Sequence, residues 1–170
     1  MNILVTGAGG FLGSAIVEEL IKKGHKVRTL LRRKEAAFNL HGMQTELFIC
    51  DILNSDAVMQ AVKGIDVIFH AAAIYNTYPW YCLNPKELYT TNIEGTRNIM
   101  EAALREGVKK VIYTSSTAAV GKREDGAPAD ETVKLNLLEK RSHYEKSKAK
   151  AEEVALSYHN KGVIESRIIL

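Results

Sequence analysis

Six short apolar runs rich in β-branched residues recur along the chain: NILVT (2–6), KVRTLL (26–31), TELFIC (45–50), DVIFHA (66–71), KKVIYTS (109–115) and VIESRIIL (163–170). Between them lie stretches of helical character: FLGSAIVEELIKKG, a short segment near 33–41, SDAVMQAVKG, a long helix across 84–106, and RSHYEKSKAKAEEVALSYHNKG. Continuous apolar strands alternating with helices predict a parallel sheet covered on both faces. Right-handed crossovers then give an α/β, doubly wound sheet of Rossmann type, ending after about the sixth strand.

Local signals place the helix ends. Gly24, Gly64 and Gly107 each follow a helical run and suit the left-handed residue that closes one. Ser55 is expected to cap the helix that begins at Asp56, and Asn84 followed by Pro85 reads as cap and first residue. The least regular segments, 72–83 and 116–140, both follow strand C-termini, which is where open α/β sheets bind ligands.

Composition narrows the function classes. A chain of 170 residues fits one domain, read here as residues 1–170 with no second domain, and its 46% hydrophobic and 25% charged content is ordinary for a globular protein. A net charge of +3, with the basic residues dispersed, gives no argument for nucleic acid. Two cysteines, Cys50 and Cys82, make neither a disulfide framework nor a CxxC metal signature. MNILVTG enters a strand almost at once, so no secretory signal is expected. No apolar run approaches the ~20 residues of a membrane helix, so a cytoplasmic protein is expected.

The turn after the first strand carries the clearest chemistry. VTGAGGFLGSA spaces Gly7, Gly10 and Gly13 as G-x-x-G-x-x-G between a strand and a helix. Gly7 permits the tight turn, Gly10 the close approach of a pyrophosphate, and Gly13 the packing of helix on sheet. The helix N-terminus then offers free N–H groups and a positive dipole end to phosphates. The second strand ends LLRRKEAA, where an NAD site usually has an acid for the ribose 2′-hydroxyl. Arg32 and Arg33 stand there instead, which favours a 2′-phosphate and hence NADP over NAD. Asp51 and Ile52 fall where adenine would lie, although Asp51 equally suits a loop acid or cap.

The helix following the fifth strand carries Tyr144 and Lys148, which share a face at i and i+4. A lysine beside a tyrosine stabilises the phenolate and is expected to lower the phenol pKa, making Tyr144 a credible acid or base beside a hydride carrier. Thr114, Ser115, Ser116 and Thr117 emerge nearby; their hydroxyls can hold a substrate oxygen or serve as caps and turns.

Five motifs in order, TGAGGFLG (6–13), DIL (51–53), HAAA (70–73), NIEGT (92–96) with TSS (114–116), and YEKSK (144–148), resemble the extended short-chain dehydrogenase/reductases over essentially the whole chain. The wording ELYTTNIEGTRNIMEAALREGVKKVIYTSS is most similar to dihydroflavonol-reductase-like members and hopanoid-associated sugar epimerases. The resemblance implies Tyr144 as catalytic acid/base, Lys148 as the group that binds the nicotinamide ribose, and Ser116 as catalytic serine, with Ser115 and Thr117 as alternates. It implies Asn92 as support for the active-site geometry and its water. His70, Ala71 and Ala72 match the loop lining the phosphates and ribose, and Phe11 and Leu12 join the cofactor-binding residues of the glycine motif. His70 by itself reads as a packed or capping histidine. The implied chemistry is hydride transfer to or from a carbonyl or carbinol carbon, used for reduction, epimerisation or dehydration on a small carbonyl or sugar substrate.

Family members run to about twice this length, and here the chain stops at SRIIL inside the expected sixth strand. The substrate-binding part is therefore expected to be missing, and the exposed strand edge invites self-association, a homodimer included. A non-catalytic NADP-binding or sensing protein, or an inactive fragment, is the competing reading. The aromatic insertion IYNTYPWYCLNP (74–85) either lines a substrate pocket or packs under the absent portion.

Overall fold

A computed structural model describes residues 1–75, 84–130, 132–136, 138–159, 161 and 165–169, the last five by their backbone. Strands β1 (Asn2–Thr6), β2 (Lys26–Leu31), β3 (Glu46–Ile49), β4 (Val67–His70), β5 (Lys110–Thr114) and β6 (Glu165–Ile169) form one sheet in the order β3-β2-β1-β4-β5-β6. Every pairing is parallel, with Leu4 opposite Arg28 on one side and Ile68 on the other. The order reverses between β1 and β4, and the strand C-termini open there into a crevice. The doubly wound sheet predicted from the apolar runs is the fold observed.

Alternation along the strands sorts two cores. Ile3, Val5, Val27 and Leu31 pack with Val17 and Leu20 of α1 (Phe11–Lys22). Leu4, Leu30, Ile68 and Val111 pack instead with Val58 and Val62 of α2 (Ser55–Val62) and with Ile99 and Met100 of α4 (Gly95–Arg105). Neighbouring strand residues therefore serve opposite faces, as the pleat requires. Tyr113 meets Ala151 and Ala155 of α5 (His143–Ser157).

Three details differ from the sequence reading. Asn54, not Ser55, caps α2: its side chain accepts from the Ala57 N–H at 3.0 Å, and Ser55 is already the first helical residue. The final helix begins at His143, because Ser142 and Glu145 make a reciprocal capping box. The span 84–106 is not one helix. It comprises α3 (Pro85–Tyr89), a π-helical turn (Thr90–Glu94) and α4. The Thr96 hydroxyl donates to the Asn92 carbonyl at 2.7 Å across this irregular stretch. Asn84 does cap α3, ahead of Pro85.

Two glycines carry close approaches of different kinds. A Cβ on Gly13 would lie 2.1 Å from the Gly7 carbonyl oxygen, which is backbone and has no room to withdraw. A Cβ on Gly95 would lie 2.4 Å from Ile52 Cδ1, the far end of a side chain that can rotate. Gly13→Ala should therefore cost about 3 kcal/mol or more. Gly95→Ala should cost about 1 kcal/mol or less, since alanine also favours the helix. Urea unfolding midpoints of the two variants measure this, and equal losses would contradict the packing described.

Candidate functional site

The crevice at the strand ends is a cleft of about 300 Å³ whose walls include Gly7, Gly10, Arg32, Asp51, Ile52, Ala71 and Ala72, all predicted from the sequence. Gly7 adopts φ +67°, and a Cβ there would strike the Ala71–Ala72 peptide at 2.7–2.8 Å. Gly10 is the N-cap of α1 and brings no side chain to the helix end, whose first turn holds no acid. The N–H groups of that turn have no intrahelical acceptors. A Cβ on Gly10 would fill the space over the Gly7 oxygen at 3.3 Å. This bare, electropositive cradle fits the pyrophosphate of a dinucleotide. Phe11 and Leu12 contribute backbone to the first turn while their side chains point outward, Phe11 almost fully exposed. Gly13 lies beneath the turn, against the Gly7 carbonyl.

The sequence reading missed Gly9. A Cβ there would collide with the Ala36 carbonyl oxygen at 1.9 Å, and the Asn39 amide donates to the Gly9 carbonyl at 2.9 Å. The 3₁₀ segment Lys34–Leu40, directly after the two arginines, is thereby clamped onto the glycine loop. The extra glycine in GAGG was the only signal. Asp51 lines the cleft, and its carboxylate also serves the loop, accepting from the Leu53 N–H at 2.9 Å. Cys50 also reaches the cleft wall; burial, then the Asp51 charge, pushes its thiol up to about 11.

His70 does not sit in that wall. Its ring is 1% exposed, with Nδ1 2.6 Å from the Thr6 hydroxyl and Nε2 3.0 Å from the Thr96 hydroxyl. Thr96 gives its only proton to the Asn92 carbonyl, so it accepts from His70 Nε2–H. Nδ1 then accepts from Thr6, whose oxygen in turn takes the Ala72 N–H at 3.2 Å. The His70 side chain is packed, as read from the sequence, while Ala71 and Ala72 of the same motif line the cleft. Burial, then the Lys148 charge, holds the imidazole down to about 3.

Beyond the cleft, Asn92 on the π turn is 1% exposed. Its side chain accepts from Ile74 N–H at 2.8 Å and donates to the Ile74 carbonyl at 3.1 Å and the Ser147 hydroxyl at 2.9 Å. Ser147 donates onward to the Tyr144 carbonyl at 2.8 Å. Asn92 thus ties the cleft wall, through Ile74, to the helix that bears the tyrosine. Ser116 lies close enough to Tyr144 to draw its phenol pKa downward, and Tyr75 stands edge-on to the Tyr144 ring with centroids 4.7 Å apart. Ser115 is turned away and donates to the Glu152 carboxylate, while Thr117 is exposed.

The Lys148 ammonium does not meet the Tyr144 hydroxyl as the i,i+4 spacing had suggested. It is buried against β5, donating to the Tyr113 hydroxyl at 2.9 Å and the Thr114 carbonyl at 2.8 Å. Burial raises the Tyr144 pKa above its ordinary value, partly offset by Ser116, so the expected lowering by Lys148 is absent from this geometry. Desolvation brings Lys148 itself down to about 8, opposed by Glu152. Of the aromatic insertion, residues 76–83 and with them Cys82 lie outside the described residues.

The profile of the NAD dependent epimerase/dehydratase family matches residues 3–169. The chain belongs to that family. A Synechocystis protein with the provisional name dihydroflavonol 4-reductase is 35% identical over 158 residues, 93% of this chain and 45% of its own length. The crystal structure of gox2253 has 39% identity and a TM-score of 0.86 over 98% of this chain and 49% of its own. The UDP-glucuronic acid 4-epimerase of Bacillus cereus, solved with UDP-glucuronic acid and NAD, has 26% identity and a TM-score of 0.82, over 99% of this chain and 55% of its own. The chain thus spans about half the length of these relatives. The likeness to extended short-chain dehydrogenase/reductases, and to their dihydroflavonol-reductase-like members, is borne out. Among the described residues no helix is long and apolar enough to cross a membrane.

The neutral His70 has a pH consequence. Between its ordinary value of 6.5 and about 3, the unfolded chain takes up a proton that the folded chain refuses, so stability falls as pH is lowered through that window. His70→Leu should lose stability at pH 7 but show a shallower decline toward pH 4.5, by about 1.4 kcal/mol per pH unit. Parallel urea-midpoint curves for the two proteins would remove the claim.

Proposed function

We propose that the protein is a nicotinamide-dependent oxidoreductase or epimerase that moves a hydride to or from a carbonyl or carbinol carbon, with Tyr144 as acid/base. One observation carries this reading: the Ser116–Tyr144 pair stands at the C-terminal end of the sheet, tied through Asn92 to the wall of the glycine cradle. A bound nicotinamide supplies the hydride acceptor or donor at its C4 position. The chain's own groups would do the rest. Gly7, Gly10 and the first turn of α1 hold the pyrophosphate, Ala71 and Ala72 leave room along the wall, and Asp51 and Ile52 flank the adenine end. Ser116 and Tyr144 bind the substrate oxygen. Tyr144, protonated at neutral pH because burial raises its pKa, delivers a proton to that oxygen as charge develops there. That state suits the reductive direction. Lys148 and Asn92 support the nicotinamide ribose and the geometry of the helix.

Arg32 in the cleft wall, with Arg33 beside it and no acid at the end of β2, supports NADP as the preferred cofactor. The Bacillus cereus structure holds NAD and a nucleotide sugar, and the Synechocystis relative is named as a reductase. A small carbonyl compound or sugar is accordingly the proposed substrate.

Fluorescence titration with NADPH and NADH tests this. NADPH should bind at least about tenfold tighter, and Arg32→Asp should abolish the preference. Tyr144→Phe should leave NADPH affinity within about threefold and lower carbonyl reduction about 10²-fold or more. Saturable binding with equal affinities would sink the NADP preference, and a fully active Tyr144→Phe would sink the proton-transfer role.

A further inference from the structure

Lys148 is 3% exposed, and its two acceptors, the Tyr113 hydroxyl and the Thr114 carbonyl, are both neutral. Burial holds the Tyr113 phenol far above its ordinary range, so it brings no negative charge. An ammonium buried among neutral groups is unfavourable unless a counter-charge stands near. From β4 the facing group is His70, uncharged; from β5 it is Tyr113; from α5 there are Tyr144, protonated, and Glu152. Among these Glu152 is the one that carries negative charge. It lies one helical turn beyond Lys148 and so shares its face. Its carboxylate accepts a hydrogen bond from Ser115, the residue that follows Thr114 at the end of β5.

We propose that Glu152 and Ser115 are positioning residues for Lys148: the serine hydroxyl fixes the carboxylate at the end of β5, and the carboxylate holds the buried ammonium charged and seated against that strand. This assigns a use to the first serine of the TSS run, which does not reach Tyr144, and to an acid beyond the YEKSK motif. The bearing on turnover rests on the role proposed above for Lys148; the charge state itself does not, and is measured without any cofactor.

The test is NMR titration of protein labelled at the lysine ε-carbons, with the Lys148 signal assigned by its absence in Lys148→Arg. The unaltered chain should titrate at Lys148 near pH 8. Glu152→Gln and Ser115→Ala should each move the midpoint down, Glu152→Gln further, and Glu152→Asp should restore it toward the original. A purely structural role would lower the melting temperature and leave the midpoint in place. Should Glu152→Gln not fold, Ser115→Ala, which keeps the carboxylate, carries the measurement. A folded variant whose Lys148 midpoint stays within about 0.2 pH unit of the original overturns the proposal.

Discussion

The site is held by one line of satisfied buried hydrogen bonds that crosses the sheet. It runs from the Ala72 N–H to the Thr6 hydroxyl, through the His70 ring to Thr96, and ends on the Asn92 carbonyl. With Thr96 donating to the Asn92 carbonyl, His70 Nε2 carries the proton and the line runs in one direction. Every member is deeply buried or lies beside a buried partner, where an unpaired polar group would cost about 1–3 kcal/mol. The line links the strand before the glycine turn, the wall of the cleft and the π turn. Asn92 then extends it by its side chain to Ile74 and Ser147, and so to the helix bearing Tyr144. The glycine cradle and the tyrosine are therefore not independently placed. They are two ends of one polar frame that passes through Thr6 and Thr96.

That frame explains why the helix after β4 is broken. A regular helix through 84–106 would commit the Asn92 carbonyl wholly to its ladder. In the π turn the Asn92 carbonyl also accepts from the Thr96 hydroxyl, and the Asn92 side chain bonds to Ile74 and Ser147. Gly95 closes the turn against Ile52, so the same irregularity also packs against a residue of the cleft wall. A local departure from helical regularity is here the means of positioning two parts of the site.

What was legible in the sequence was what backbone physics dictates. Continuous apolar strands admit only a sheet covered on both faces, and the two cores built from alternating residues follow from that. Gly7 and Gly13 were legible because a positive φ and a 2.1 Å approach to a carbonyl leave no other residue type. The polar side chains were less legible, because their direction depends on partners distant in sequence. His70 belongs to a cleft-lining motif by its backbone, but its ring turns to the opposite side and finds Thr6 and Thr96, 64 and 26 positions away. Lys148 shares a helix face with Tyr144, yet its long side chain reaches past the phenol to acceptors on β5. Spacing fixes where a side chain starts, and the nearest unsatisfied acceptor decides where its tip ends.

The two adjacent serines at the end of β5 show the same logic at the smallest scale. Ser116 is in extended conformation, φ −163° and ψ 144°, so it and Ser115 project in opposite senses. Ser115 meets Glu152 and Ser116 lies beside Tyr144, although both of these residues lie on α5, two turns apart. A strand end aimed at one helix thereby addresses two separate electrostatic tasks: the charge of the buried ammonium and the protonation of the phenol. Because Lys148 is engaged with Tyr113 and not with Tyr144, its charge does little for the phenolate in this arrangement, and burial keeps the phenol protonated. Any route to a phenolate must therefore bring new positive charge toward Tyr144 or release Lys148 from β5. The first is electrostatically the simpler, since it leaves the Tyr113 and Thr114 bonds intact.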